Sequence, residues 1–206
     1  MNKRIEHKLE LRKSDYLNFI KWLKKRNAYV LYPERIICSR YFDTFDFKMF
    51  KDTLEGIQPR KKLRIRTYGS YIFEDSKEKY NLEIKSSIEN DRFKDIREDI
   101  NFINESNTYY LKGYGLCYQK IDIAYTREYY EIDGIRLTID TNINYFFKDI
   151  IQIIEKEKQI DNFFVVEIKA PANTDTNFLL NNFNFSRTRF SKYERGINRY
   201  LNYEDC

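Results

Sequence analysis

The chain has little of what breaks or cross-links a polypeptide. Of its 206 residues, six are glycine and three are proline, which excludes a linker-rich, collagen-like or low-complexity chain. Its three cysteines, Cys38, Cys117 and Cys206, are an odd set without metal-like spacing. They specify no disulfide framework and read as reduced thiols in a cytoplasmic protein. His7 is the sole histidine, so a zinc site of His and Cys is excluded. The opening Asn2-Lys3-Arg4-Ile5-Glu6-His7-Lys8 lacks the apolar segment of a signal peptide. No stretch approaches the roughly 20 apolar residues of a membrane span, so no direct membrane insertion is expected. There is no internal repeat and no linker composition, so the expectation is a single domain over residues 1–206.

Charge and aromatic rings are abundant. Charged residues make up 33% of the chain and the net charge is only +5, because Lys and Arg are interleaved with Asp and Glu along its length. A nucleic-acid surface would concentrate its cations in one patch, and no nucleic-acid partner is expected. An RNA-binding barrel would use the tyrosines and lysines but gives the alternating glutamates no role.

The informative stretch is Lys61-Lys62-Leu63-Arg64-Ile65-Arg66-Thr67-Tyr68. Read as a strand, Lys62, Arg64, Arg66 and Tyr68 share one face, while Leu63, Ile65 and Thr67 share the other. The same alternation recurs. From Arg4 to Arg12, Glu6, Lys8 and Glu10 oppose Ile5, His7, Leu9 and Leu11. Glu83 and Lys85 oppose Leu82 and Ile84. Arg136, Thr138 and Asp140 share a face, as do Val165, Glu167 and Lys169, against Val166 and Ile168. Each pair alone is an ordinary surface pair worth under about 1 kcal/mol. Repeated, with an apolar face behind each, the pattern predicts a barrel with a charged interior and an apolar exterior covered by helices.

The remaining elements follow from periodicity and turn signals. Helices are expected from about Asp15 to Arg26, capped by Ser14-Asp15, from Phe45 to Leu54 ending near Gly56, and from Tyr193 to Leu201. Strands are expected near Ile36 to Asp43, Tyr80 to Ser87, Tyr118 to Glu131, Ile135 to Thr141 and Phe163 to Ala170, with a hairpin turn at Asp133-Gly134. The stretch Asp91 to Phe102 fits either a strand or a helix.

A lumen lined by Lys8, Arg64, Arg66, Lys85, Arg127, Arg136, Lys169 and Lys192 would repel itself unless a polyanion filled it. Guanidinium forks match phosphate oxygens bidentately. The carboxylates Glu6, Glu10, Glu83 and Glu167 would pair with these cations or hold a hard divalent metal that bridges phosphates.

At these residues the sequence resembles a known family. The Glu6-x-Lys8-x-Glu10 alternation is similar to that of triphosphate tunnel enzymes. The strings Ser39-Arg40-Tyr41-Phe42-Asp43, Lys62 to Tyr68, Leu82-Glu83-Ile84-Lys85, Tyr125-Thr126-Arg127, Arg136 to Asp140, Val166-Glu167-Ile168-Lys169 and Ser191-Lys192-Tyr193 run in the order of the VTC-type polyphosphate polymerase domain. The resemblance implies an α+β fold, a closed antiparallel eight-stranded β-barrel forming a triphosphate tunnel with flanking helices. It implies transfer of the γ-phosphate of ATP onto a growing polyphosphate chain, with Mn2+ or Mg2+. It leaves room for a membrane-bound or regulatory protein partner.

The catalytic set it implies is Lys8, Arg64, Arg66, Lys85, Arg127 and Lys192. Substrate-binding positions are Arg136, Tyr125, Lys169, Arg189, Ser191, Lys94 and Lys62, and the metal-binding carboxylates are Glu167 and Glu6. Arg40 departs from the pattern, because it falls on the face where an apolar residue is expected. Two other activities fit the same inventory: hydrolysis of tripolyphosphate or a nucleoside triphosphate, and non-catalytic binding of polyphosphate or inositol phosphates.

Overall fold

The computed structural model describes residues 4–71, 80–88, 91–100, 108–147, 159–171, 174 and 190–204. Its ten strands are β1 (Arg4–Arg12), β2 (Tyr29–Asp43), β3 (Arg60–Tyr68), β4 (Tyr80–Ile88), β5 (Asp91–Ile100), β6 (Thr108–Leu111), β7 (Gly115–Ile132), β8 (Ile135–Phe147), β9 (Gln159–Ile160) and β10 (Phe163–Pro171). Three α-helices accompany them: α1 (Tyr16–Lys25), α2 (Lys48–Glu55) and α3 (Lys192–Glu204). The strands follow the order β1-β10-β8-β7-β2-β3-β4-β5, with β6 on β7 and β9 on β8.

This order corrects the expected closed eight-stranded barrel. The sheet has ten strands and is open, and no ladder joins β5 to β1 among the described residues. The sequence of β5, Asp-Arg-Phe-Lys-Asp-Ile-Arg-Glu-Asp-Ile, explains its place at an edge. Charges of both signs on both faces of a strand oppose pairing with another strand.

By contact density the chain divides into two compact units. The first comprises Met1–Ile36, Tyr125–Ile143 and Ile160–Phe190. Here β1 pairs antiparallel with β10, which pairs antiparallel with β8. The apolar side of these strands, with Leu9, Leu137, Ile139, Phe164, Val166 and Ile168, packs on Phe19 and Leu23 of α1. Each such buried side chain contributes about 1.5–3 kcal/mol. Phe164 lies 5.5 Å from Tyr16, edge to face, and 6.0 Å from Phe19. The α1 periodicity is thus met in full, but Ser14-Asp15 forms a 3-10 turn ahead of α1, and Asp15 makes no side-chain cap. Asp133 and Gly134 both have positive φ, 50° and 76°, as a two-residue hairpin turn between β7 and β8 requires.

The second unit comprises Ile37–Ala124, Asn144–Gln159 and Ser191–Cys206. Strands β2, β3, β4 and β5 are successively antiparallel. Cys38, Phe42, Leu63, Ile65, Leu82 and Cys117 form its core with Met49 of α2. Asp43 organises the start of α2: its carboxylate accepts the N–H groups of Thr44, Met49 and Phe50 at 2.7, 2.8 and 2.9 Å. Gly56, at φ 74°, ends the helix. The N-terminus of α3 is held by Ser191, whose Oγ accepts Glu194 N–H at 3.3 Å and whose carbonyl accepts Arg195 N–H at 3.0 Å.

Arg40 has an unforeseen partner. It is buried at 3% exposure, and Asp122 of β7 accepts its Nε and Nη2, each at 3.0 Å. The misplaced charge is a neutralised internal pair. No helix among the described residues is long and apolar enough to cross a membrane.

Candidate functional site

In the first unit, antiparallel register brings the charged faces of three strands together. Lys8 lies opposite Glu167 and Glu6 opposite Lys169, while Glu167 and Lys169 lie opposite Thr138 and Arg136. Glu167 is the centre of this patch. Lys169 Nζ is 2.7 Å from its Oε1, and Arg127 Nη2 is 4.0 Å from its Oε2. Burial works against its charged form, but the fields of Lys8, Lys169 and Arg127 outweigh that cost and hold its carboxyl well below the usual range.

Arg127 is fixed by Asp140, which accepts its Nε at 2.5 Å and its Nη2 at 2.7 Å. Burial alone would disfavour the guanidinium charge. Asp140, and more weakly Glu167, reverse the balance and raise its pKa. The Tyr125 ring lies 5.3 Å from the Arg127 guanidinium. Lys8 Nζ donates to the Phe190 carbonyl at 3.3 Å and is 3.8 Å from Glu6. Two buried atoms of this patch, Arg136 Nε and Thr138 Oγ1, have no hydrogen-bond partner among the described residues. Buried polar groups without partners are rare and call for an explanation.

In the second unit, Glu83, 2% exposed, lies between two arginines. It accepts Arg64 Nε at 2.6 Å, pairs with Arg64 Nη2, and is 3.6 Å from Arg66 Nη1. Arg64 Nη1 donates to the Tyr41 hydroxyl at 2.8 Å, and Arg66 Nε donates to Ser39 Oγ at 3.2 Å. Lys62 Nζ donates to Ser191 Oγ at 2.9 Å. Lys62 is the cross-strand partner of Lys85, and Lys85 of Lys94.

The expected residues therefore fall into two sets. Register gathers Lys8, Glu6, Arg136, Glu167 and Lys169 on one patch, with Arg127 on Glu167 and Tyr125 against Arg127. The other set has Arg64 and Arg66 on Glu83, Lys62 on Ser191, and Lys85 in register with Lys62. Lys192 is the first residue of α3 and is half-buried. The structure gives only the strand register of Lys94, and Arg189 lies outside the described residues.

Sequence reasoning overlooked Tyr41 as a support for Arg64 and Asp140 as the anchor of Arg127. Asp140 shares a strand face with Arg136, an expected binding residue, and Tyr41 lies within the Ser39–Asp43 string that carried the resemblance. Those placements were the available signal.

The carboxylate chemistry bears on a divalent metal. No group of three or more His, Cys, Asp or Glu among the described residues could hold an ion by itself. Glu167 Oε1 is engaged by Lys169, whereas its Oε2 has, among the described residues, the longer 4.0 Å contact to Arg127. A carboxylate oxygen with only a long contact among the described residues fits a hard cation whose remaining ligands are phosphate oxygens, the usual situation for magnesium.

The fold has known counterparts. A Hippeastrum protein described as an adenylyl cyclase with dominant triphosphatase activity matches with TM-score 0.58 and 16% identity, over 95% of this chain and 96% of its own. A Vibrio parahaemolyticus protein described as a candidate adenylate cyclase matches with TM-score 0.52 and 16% identity, over 94% and 97%. A protein from Pyrococcus horikoshii OT3 matches with TM-score 0.56 and 15% identity, over 95% and 99%. At these identities the likeness is one of fold. No curated protein matches the chain.

The VTC domain model matches residues 3–114 and 105–201, and the chain belongs to that family.

Proposed function

We propose that the protein is a metal-dependent polyphosphate polymerase that transfers the γ-phosphate of ATP onto a growing polyphosphate chain. Membership of the VTC domain family supports an enzyme acting on triphosphates. The observation that carries the reading is the pair of buried donors, Arg136 Nε and Thr138 Oγ1, left without acceptors beside Lys169 and Glu167. A phosphate oxygen is an acceptor of the right charge for both.

The residues divide the work. Lys8, Arg127, Arg136 and Lys169 bind and neutralise phosphate oxygens. Within the second unit, Arg64, Arg66, Lys62, Lys85 and Lys192 form a further set of cations for phosphate oxygens, while Tyr125 and Ser191 hold Arg127 and Lys62 in their own units. Phosphoryl transfer needs positioning and charge neutralisation more than covalent participation. Glu167, with Glu6 nearby, would hold Mg2+ or Mn2+, which supplies added neutralisation of the phosphate oxygens. A phosphate terminus as acceptor is already deprotonated at neutral pH, so the transfer requires no general base.

The test is a product assay with ATP and manganese that resolves long polyphosphate from free phosphate. Long chains are the expected product. Orthophosphate alone would replace this reading with triphosphate hydrolysis, the activity described for the Hippeastrum protein of the same fold.

A further inference from the structure

We infer that Tyr41 and Tyr193 are positioning residues that hold the Arg64 guanidinium in its phosphate-binding orientation, with Asp43 as their anchor. The inference rests on the proposed binding of a phosphate chain by Arg64.

Arg64 is gripped from two sides. Glu83 accepts from its Nε at 2.6 Å, and the Tyr41 hydroxyl accepts from its Nη1 at 2.8 Å. The Tyr41 ring also lies 5.7 Å from the guanidinium carbon, within the range of a cation–π contact. An arginine side chain loses much rotamer freedom when it is fixed. Prior fixing by the protein removes that cost from the binding step.

Tyr41 is itself braced. Its ring stacks on Tyr193 with centroids 5.1 Å apart and planes 18° from parallel. Tyr193, from the first turn of α3, is buried and donates its hydroxyl to Asp43 Oδ2 at 2.6 Å. Asp43 is the same carboxylate that accepts the N–H groups of Thr44, Met49 and Phe50. A continuous set of contacts thus runs from the start of α2 through Asp43, Tyr193 and Tyr41 to Arg64. Ser191, immediately before α3, acts in parallel, since it both caps the helix and holds Lys62.

The experiment measures tripolyphosphate binding by calorimetry, well below each variant's melting temperature, for wild type, Tyr41→Phe, Tyr193→Phe and Arg64→Ala. It also includes each tyrosine change combined with Arg64→Ala. Both tyrosine variants keep the ring and lose one hydroxyl contact, so affinity should fall roughly two- to tenfold. In the Arg64→Ala background neither change should weaken binding further, because their effect passes through Arg64. A purely structural role would lower the melting temperature and leave the affinity of the folded protein unchanged, and that result overturns the inference. Losses that add fully to that of Arg64→Ala overturn it as well. Failure of wild type to bind tripolyphosphate overturns both this inference and the proposed function. Wild-type binding that is unaffected by the tyrosine changes overturns this inference alone.

Discussion

Lys8 and Glu167 face each other directly across the β1–β10 ladder. Glu167 thereby has a cation on the neighbouring strand, another two residues along its own strand in Lys169, and Arg127 at 4.0 Å. It is the carboxylate that Lys8, Lys169 and Arg127 all face, and removing it has two separable effects. Glu167→Gln should lower kcat about a hundredfold or more, by analogy with the loss of one transition-state contact. Without metal, the same variant should bind tripolyphosphate more tightly than wild type, since the cations lose their internal counter-charge. Its apolar neighbours Val166 and Ile168 carry the packing, so the fold should persist. Steady-state kinetics with manganese titrated, together with metal-free calorimetry, checks both effects.

The same carboxylate contributes to stability in a pH-dependent way at the acid end. Its folded pKa is depressed from an ordinary value of 4.5. Stability from this group is therefore present above pH 4.5 and lost as pH falls below it, because the unfolded chain takes up the proton first. Urea midpoints measured from pH 6 downward should drop more steeply for wild type than for Glu167→Gln.

At the alkaline end a buried thiol and a half-buried phenol act in the opposite sense. Burial, aided by the field of Asp43, pushes the Cys117 thiol from 9.0 up to about 11. Burial and the hydrogen bond to Asp52 push the Tyr114 hydroxyl from 10.0 up to about 12. The unfolded chain releases these protons first, so their stabilisation is complete below pH 9 and is lost between pH 9 and 12. Cys117→Ala should flatten the fall in urea midpoint between pH 9 and 11.

Arg64 and the buried Arg40–Asp122 pair call for contrasting outcomes. Arg64→Ala should raise KM by about tenfold or more, as expected for a lost charged hydrogen bond, and should change kcat less. Asp122→Ala should leave activity per folded molecule unchanged but lower stability by about 3–5 kcal/mol, because it leaves the 3%-exposed Arg40 without its carboxylate. Replacing both by Met and Leu should recover most of the loss. Urea denaturation and steady-state assays on the purified variants decide each.

Gly196 sets a steric limit on α3. A Cβ at this position would lie 2.5 Å from Ile121 Cδ1 and 2.9 Å from Tyr145 Cδ1. Gly196→Ala should therefore destabilise the protein by about 1–3 kcal/mol through overpacking, although alanine favours helices intrinsically. A lowered melting temperature reports it.

Much of this arrangement was legible in the sequence, for a physical reason. In β1, β3 and β10 one face packs on apolar neighbours and the other carries charge, so a period of two is imposed along each strand. The outer half of β2, with Tyr29, Val30 and Tyr32 exposed, is not under that constraint and was missed. So was the four-residue β6. The β5 segment carries charge at both helical and strand periods and gave no decision. Closure of the sheet depends on which edges meet, and no local pattern encodes that. The site was legible as an inventory of cations on shared faces. Its partnerships were not, because they join distant positions. Asp122 lies 82 residues beyond Arg40, and Tyr193 lies 150 beyond Asp43.

Glu83, held between Arg64 and Arg66, means that these guanidiniums carry their own counter-ion. A polyanion arriving at bare cations releases dissolved ions, and its affinity falls steeply as salt is added. On β3 the charge to be exchanged belongs to the protein and never enters the solvent. Sodium chloride will therefore compete with a bound phosphate chain less than the number of nearby cations suggests, and the affinity will hold over a wide range of ionic strength.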